Sequence, residues 1–488
     1  MTRPHALGRR NFLRYAAATT GLLSAGLGLG ARRAHAQAAP DQKFLFVVGA
    51  SGGASISDSF LPVLDTDVSS PSLANQLIVY PEAVVAQPNG SNIRCVKNLG
   101  TGSLFTTSYD LETFLANHYE DMVVMTVENT SVNHVVAQKR AITGAGIDGG
   151  RTIQEAMAMT HGEATLIPNA VMASGSYASP GSAVVPDRVR AELIGNAVAF
   201  PLAMDGIRGV ADAPTRALVE QARAKRAELE AASAFGERYA QSPMRTRFLQ
   251  MRNDVQPSLE SADLITKLTM VQDGAVPLSD YDLDSSPEAA QLASVFPNML
   301  EDRLQAQAAL AFLLARYGVS AAITIGPSFD PNFLGDGAIL DTPLAFDFSH
   351  NDHLNSQQVM WARLCETLDG LIGLLQQTPH GDGSMWDKSL IYVATDFGRT
   401  KTRPAGSLGG FGTGHDLSNG NLFISPMLKG NRVYGGFHPD TMTTYGFDPS
   451  SGDPDQNTVM REGHLYSLVA EVMGIDFDGK VDMSELVV

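Results

Sequence analysis

Short, mostly apolar runs recur along this chain, and turn-forming residues follow the first of them. Residues 44–48 form such a run and lead into Gly-Ala-Ser-Gly-Gly at 49–53. A continuous apolar run of this length is typical of a strand buried on both faces of a parallel sheet. Three similar runs, each after a segment with helical periodicity, occupy residues 122–127, 319–325 and 390–394. This alternation predicts an α/β fold with a mostly parallel central sheet and helices on both faces.

The clearest helical pattern precedes the last of these strands. Residues 356–377 place one apolar face on a helix, made of Val359, Leu364, Leu368, Leu371, Ile372 and Leu375. Residues 212–275 differ, because they are rich in Ala, Arg, Glu and Leu and carry few strand signals. We therefore predict one α/β domain over residues 41–488, with an inserted helical segment at about 205–300.

The N-terminus has the pattern of an export signal. Arg9 and Arg10 precede Asn-Phe-Leu, an uncharged stretch at 15–31 follows, and Ala34-His35-Ala36 resembles a small-residue cleavage site. These features predict a twin-arginine signal peptide at 1–36, recognised by the twin-arginine export machinery and cleaved after Ala36. The alternative is a membrane anchor, but the stretch is short for a bilayer and diluted by Gly, Thr and Ser. We expect a periplasmic or secreted protein without a stable membrane span.

The net charge of the chain limits the kinds of molecule that it is expected to bind. Six of the 35 basic residues and none of the 52 acidic residues lie in positions 1–36, so the remainder carries a net charge of −23. A surface this acidic argues against nucleic acid as a partner. The two cysteines, Cys95 and Cys365, are too few for a disulfide framework. They form either two buried thiols or a single bridge.

Candidate metal ligands concentrate between residues 346 and 353. Asp347, His350, Asp352 and His353 place two carboxylates and two imidazoles within seven residues, just before the predicted helix. These are the ligand types that divalent zinc, manganese or iron prefer. The competing interpretation is that they cap a helix beginning near Asn355. We favour a ligand role for Asp347 and His350 over one for the other two.

Two further segments carry residues with suitable chemistry. Asp396 follows the strand at 390–394, where the crevice of an α/β sheet usually lies, and Arg399 follows it in a Gly-Arg turn. Asp396 could bind a metal and Arg399 an anionic group, unless the two simply pair across the turn. His415 ends a glycine-rich loop at 409–414, where the backbone can bend closely around a ligand. His134, six residues or so beyond the strand at 122–127, is a weak candidate by itself.

Together these motifs resemble a secreted bacterial family called domain of unknown function 1501. The resemblance rests on the Thr-Asp-Phe-Gly-Arg-Thr strand end at 395–400, the Gly-Thr-Gly-His-Asp loop at 412–416 and the Lys-Gly-Asn-Arg-Val-Tyr-Gly turn at 429–435. The Asn133-His134 to Thr143-Gly144 segment and the twin-arginine start add to it. That family is similar to the alkaline phosphatase and sulfatase superfamily, which implies a three-layer α/β sandwich.

The resemblance also implies roles for individual residues. Asp347 and His350 match the pair that holds a first metal, His415 matches a later ligand of the same ion, and Asp396 matches an acid of a second metal. The chain departs from the superfamily in three places. Phe397 stands where a histidine is common, residues 52–55 lack the usual aspartate, with Asp58 the nearest acid, and His134 stands where a hydroxyl nucleophile is expected.

The functional expectation follows from these matches and departures. One metal centre around Asp347, His350 and His415, holding zinc, manganese or calcium, would serve an exported hydrolase of small phosphate or sulfate esters whose two-metal site is degraded. Arg399 would steady the anion and His134 would act as nucleophile or base. The alternative is a non-catalytic extracytoplasmic binding or assembly protein, with an unknown ligand, on the same fold.

Overall fold

An eight-stranded sheet runs through the centre of the protein. It is seen in a computed structural model that describes residues 38–97, 109–144, 150–172, 175–203, 216–250, 264–281, 283–327, 346–407 and 409–488. In chain order its strands are β1 (Phe44–Gly49), β2 (Met122–Glu128), β3 (Asn169–Val171), β4 (Glu192–Leu193), β5 (Ala322–Ile325), β6 (Ser389–Ala394), β7 (Ser418–Ile424) and β8 (Arg432–Tyr434). The signal peptide predicted at 1–36 lies outside the described residues.

The sheet is mostly parallel, as the apolar runs predict. Its spatial order is β8-β2-β7-β6-β1-β5-β3-β4. Only β7 runs antiparallel to its neighbours, β2 and β6, and every other neighbouring pair in this sheet is parallel. The four predicted strands correspond to β1, β2, β5 and β6. The mixed α/β fold class is therefore confirmed, with one antiparallel strand that the pattern did not predict.

Two hydrophobic cores lie on opposite faces of the sheet. Along β1, Phe44, Phe46 and Val48 belong to one core, whereas Leu45 and Val47 belong to the other. This alternation follows from the two-residue period of a strand. The helices that contribute to these cores include α1 (Leu111–His118), α2 (Ile153–His161), α3 (Arg303–Arg316), α4 (His353–Gln377) and α5 (Glu462–Met473).

Helices cover both faces of the sheet. α1, α3 and α4 pack into the core that contains Phe44, and α2 and α5 supply side chains to the core that contains Leu45. α4 occupies nearly the span that its apolar periodicity predicts, and Trp361 on this helix packs edge-on against Phe60 and Phe346. The arrangement is a three-layer α/β sandwich.

The predicted inserted segment is rich in short helices where the structure describes it. Among the described residues, six α-helices lie in or beside it: Phe200–Ala203, Arg216–Ala231, Ala234–Arg238, Pro243–Gln250, Leu264–Leu268 and Ala289–Val295. Across the described ranges, no helix is long and apolar enough to cross a membrane. Cys95 and Cys365 are both buried and unbonded to each other.

Shorter elements complete the chain. Two short helices are Pro71–Ala74, whose Ala74 reaches the core that contains Phe44, and His134–Ala137. Two-stranded sheets pair Val85–Ala86 with Cys95–Val96, Pro379–His380 with Gly383–Ser384, and Gly398–Arg399 with His415–Asp416. A three-stranded sheet is formed by Gly436–Phe437, Thr444–Phe447 and Pro454–Asp455. The pair Gly398–Arg399 and His415–Asp416 links two of the segments that carry candidate site residues.

Candidate metal centre

The candidate residues meet beyond one edge of the central sheet. β1 and β6 are parallel neighbours, so the turn at 50–53 and the segment from Asp396 to Arg399 emerge side by side. β7 is antiparallel and begins at this edge, directly after His415. β2 ends beside the start of β7, because Glu128 pairs with Ser418, and it leads to His134. The topology therefore brings together residues that are far apart in the sequence.

Four side chains form a cluster that could hold a metal ion: His134, Asp347, His350 and His415. One potential ligand atom from each lies within 4.8 Å of the others. The Nε2 atoms of His350 and His415 are 2.9 Å apart. Asp347 Oδ1 lies 3.4 Å from Nε2 of both His134 and His350.

These separations fit a small transition-metal ion. Zinc bonds to histidine nitrogen and carboxylate oxygen at about 2.0–2.2 Å in tetrahedral geometry, which places neighbouring ligand atoms about 3.3 Å apart. These three separations, of 2.9, 3.4 and 3.4 Å, lie close to that spacing. Three imidazoles and one carboxylate are also a ligand set that zinc or manganese accepts, whereas calcium prefers six to eight oxygens.

Hydrogen bonding prepares His415 to act as a ligand. Its Nδ1 lies 2.9 Å from the carbonyl oxygen of Val132, so Nδ1 carries the proton and Nε2 presents its lone pair to the cluster. Burial, and then the positive charge of Arg399, lowers the pKa of His415, and the same two causes lower the pKa of His350. Both imidazoles are therefore biased toward the neutral form, which is the form that binds metal.

His134 is held between two carboxylates. Its Nε2 faces Asp347 and its Nδ1 lies 3.1 Å from Asp396 Oδ2. Hydrogen bonds to Asp347 and then to Asp396 raise the pKa of His134 to about 9, so the metal-free protein holds an imidazolium here. The hydrogen bond to His134 is the main cause that lowers the pKa of Asp347 to about 2; burial opposes it, and the charges of His134 and Arg399 add to it. An ion bound at Nε2 of His134 would displace the proton there, and the Nδ1–H would keep its hydrogen bond to Asp396.

Asp396 lies behind the cluster. Its carboxylate is fully buried and accepts backbone N–H bonds from Gly52 at 3.1 Å and from Gly53 at 2.8 Å, besides its contact with His134. A carboxylate on the second nitrogen of a metal-binding histidine is a common supporting arrangement in metal sites. The sequence indicated Asp396 as a direct ligand, but the structure places His134 in the four-residue cluster and Asp396 against it.

Arg399 is also buried, and its guanidinium faces the protein. It donates to the carbonyl oxygens of Gly52, Phe346 and Thr413 and, at 3.1 Å, to Asp347 Oδ1. The alternative to anion binding was an ion pair with Asp396 across the turn, and the acidic partner of Arg399 is instead Asp347. Because the side chain is 0% exposed, Arg399 orients Asp347 instead of presenting donors to a solvent-borne anion.

The turn at Gly52 and Gly53 depends on glycine. Both residues have positive φ, of 94° and 76°. A Cβ on Gly52 would lie 2.4 Å from the backbone nitrogen of Asp347, and one on Gly53 would lie 2.5 Å from Arg399 Nε. Any larger residue would therefore strain the backbone and displace either the backbone at Asp347 or the side chain of Arg399.

Helix capping does not account for Asp347 or His350. Both lie in a short 3-10 segment, Phe346–His350, and α4 begins only at His353. Asp352 occupies the N-cap position, but its side chain makes no capping hydrogen bond. Of the two interpretations left open by the sequence, the cluster geometry favours the ligand role for Asp347 and His350.

His353 belongs to a separate buried group that the sequence did not identify. Its Nε2 lies 3.2 Å from Asp58 Oδ2, and the hydroxyl of Tyr80 donates to Asp58 Oδ1 at 2.6 Å. Burial alone raises the pKa of Asp58, but His353 and then Lys401 outweigh it and lower the value to about 2. The sequence indicated His353 as a weaker ligand candidate and Asp58 as the nearest acid after the glycine turn, but nothing in the sequence connected the two.

Comparisons with protein-family models, curated proteins and solved structures found no match to this chain. Its class is therefore defined by its own fold and site. It is a mixed α/β protein with a mostly parallel eight-stranded sheet, and a cluster of three histidines and one aspartate at one edge could hold a metal ion.

The raised pKa of His134 predicts a pH dependence in the metal-free protein. The imidazolium is favoured in the folded state, so its contribution is fully present below the unfolded pKa of about 6.5. That contribution is lost as the pH rises through about 9. We expect the difference in unfolding free energy between wild type and His134→Gln, measured in chelator, to shrink between pH 6.5 and 9. A difference that stays constant across this range would contradict the placement of a charged His134 between Asp347 and Asp396.

Asp396 should tune metal affinity without touching the ion. Asp396→Asn removes the negative charge and places an amide against backbone N–H donors, so His134 loses its fixed orientation. Loss of such a supporting partner typically weakens metal binding about 10- to 100-fold, and we expect this range in a competition titration with a chromogenic chelator. Asp416→Asn is the matched control, because Asp416 accepts a bond from Ser418 N and lies outside the cluster. Equal affinities in the two variants would refute the role.

Proposed function

We propose that this protein is a hydrolase that uses one divalent metal ion, held by His134, Asp347, His350 and His415, to activate water toward an ester. The observation that supports it most is the convergence of four ligand atoms at a site open to solvent. The side chains of His134, Asp347 and His350 are 30%, 37% and 42% exposed. Solvent and a small substrate can therefore reach the position that the ligand atoms surround.

The surrounding residues would keep that position fixed. Asp396 holds His134, Arg399 holds Asp347, and the carbonyl of Val132 holds His415. A bound divalent ion would supply a polarised water and a Lewis acid for the ester oxygen. Fixed supporting bonds of this kind keep ligands in place before the substrate arrives, which is a general requirement of metal catalysis.

Small phosphate or sulfate esters are the proposed substrates, by the resemblance to the phosphatase and sulfatase superfamily. The buried position of Arg399 changes how such an anion would be bound. The metal ion, instead of the guanidinium, would supply the positive charge next to the ester. Zinc or manganese suits the nitrogen-rich ligand set better than calcium.

A non-catalytic metal-binding or assembly protein is the second candidate. Four protein ligands complete a tetrahedral shell, which is typical of structural zinc sites, whereas catalytic sites usually keep one position for water. The hydroxyls near His134 are also engaged. Thr130 Oγ1 donates to Glu462, and Ser131 Oγ accepts the N–H of Asn133. A water-activating site therefore requires a fifth ligand position on the solvent side.

We also propose export through the twin-arginine pathway, on the strength of the N-terminal pattern at 1–36. Expression in a host with that pathway should release a protein whose N-terminal sequence begins at Gln37. N-terminal sequencing of the extracytoplasmic fraction measures this directly. A product that retains Met1 and stays with the membrane would support the anchor instead.

Metal content tests the proposed centre. The native protein, purified without chelators, should carry about one zinc or manganese ion per chain by inductively coupled plasma mass spectrometry. His415→Ala and Asp347→Ala should each lose it, because each removes a ligand. His438→Ala is the matched control, since His438 packs against Tyr445 and is outside the cluster. Folded wild type without metal would eliminate the centre.

Activity separates the two candidates. The metal-loaded protein should hydrolyse at least one member of a panel of aryl phosphates and sulfates, and a chelator should abolish the reaction. His415→Ala should be inactive at every pH tested, while His438→Ala should match wild type. One stoichiometric ion with no hydrolysis of any member of the panel would favour the binding protein.

A further inference from the structure

Three exposed apolar residues lie close along the chain to two histidines of the metal centre, His134 and His415. Val132, Val135 and Leu417 are 40%, 58% and 39% exposed. We call these three residues the apolar rim. Single exposed apolar residues are common on proteins, but a group around one polar cluster is informative.

Contacts with the cluster locate the rim. The carbonyl oxygen of Val132 accepts the hydrogen bond from His415 Nδ1, so this residue lies directly against a candidate ligand. Val135 follows His134 in the helix His134–Ala137. Leu417 is two residues after His415, at the bend between the strand His415–Asp416 and β7.

The two segments of the rim run side by side. The N–H of Asn129 donates to the carbonyl oxygen of Leu417 at 2.8 Å, which fixes the chain before Val132 against the chain after His415. Both segments then carry an exposed apolar side chain next to a histidine of the cluster. A ligand that reaches the metal from solvent would therefore meet apolar surface beside the ion.

We propose that the centre binds an amphiphilic anion, a phosphate ester of an apolar alcohol, with its phosphate at the metal and its alkyl chain on the apolar rim. The inference rests on the proposed metal centre and narrows its substrate class. The metal dication would supply the positive charge for the phosphate, because Arg399 is buried and does not reach a ligand from solvent. The rim complements the chain, because covering exposed Val and Leu with alkyl groups removes apolar surface from water on both sides.

A chain-length series tests this directly. Methyl, butyl and octyl phosphate are titrated by calorimetry into the zinc-loaded full-length protein, below their micellar concentrations. We expect affinity to increase about two- to fourfold per methylene until the rim is covered, which is the range for burial of alkyl groups. In excess chelator none of the three should bind at the same concentrations.

Variants of the apolar rim show whether the dependence of affinity on chain length comes from these residues. Val135→Ser combined with Leu417→Ser should bind methyl phosphate as wild type does but lose most of the increase with chain length. Leu229→Ser, an equivalent change at a 60% exposed leucine of the helix Arg216–Ala231, should keep the full increase. Zinc content is measured for each protein, so that loss of the metal is distinguished from loss of the rim.

Three outcomes would overturn the inference. Equal affinity for methyl and octyl phosphate in zinc-loaded wild type would show that the rim contributes nothing. A chain-length increase that persists in the rim variant, or in chelator, would place the alkyl chain elsewhere. Folded wild type that binds no zinc would overturn the metal centre itself, and this inference with it.

Discussion

One buried carboxylate holds the candidate site together. Asp396 lies just beyond the end of β6 and accepts N–H bonds from Gly52 and Gly53 in the turn that follows β1, and its contact with His134 orients that histidine. A buried charge is tolerated only when its hydrogen-bonding capacity is satisfied, so this carboxylate fixes the turn and the histidine at the same time. Arg399 holds the opposite side of the turn through the carbonyl oxygen of Gly52 and also binds Asp347. Two ligands of the cluster thus depend on one glycine turn.

Much of the fold could be predicted from periodicity alone. The strands β1, β2 and β6 are almost entirely apolar because they are covered on both faces, and α4 is long enough for its apolar face to be unambiguous. The antiparallel strand β7 could not be recognised, since Asn419 and Asn421 interrupt its apolar pattern. Both asparagines are buried, and their side chains bond the backbone of the loops, at Ile56 and at Thr395. A buried strand whose polar side chains bond the neighbouring loops does not show the continuous apolar pattern by which a buried strand is recognised in sequence.

Only part of the candidate site could be predicted from the sequence. Asp347 and His350 lie in one short segment of dense ligand chemistry, and His415 follows a glycine-rich loop, so residue type and spacing indicated all three. The place of His134 depends on tertiary structure, because 262 residues separate it from Asp396. Arg399 was assigned to an anion by its chemistry, but its burial directs it to Asp347 and to backbone carbonyls. Residue type and spacing indicate which residues could bind a ligand. Burial in the folded protein decides whether such a residue faces the ligand or holds another residue in place.

The central claim is that these four side chains share one ion, and anomalous X-ray diffraction from zinc-soaked crystals tests it most directly. Data collected on either side of the zinc absorption edge should show one strong peak per chain. We expect that peak about 2.0–2.2 Å from Nε2 of His134, His350 and His415 and from a carboxylate oxygen of Asp347, with Asp396 still bound to His134 Nδ1. A peak beside Asp58 and His353, or no peak at all in well-ordered crystals, would contradict the account.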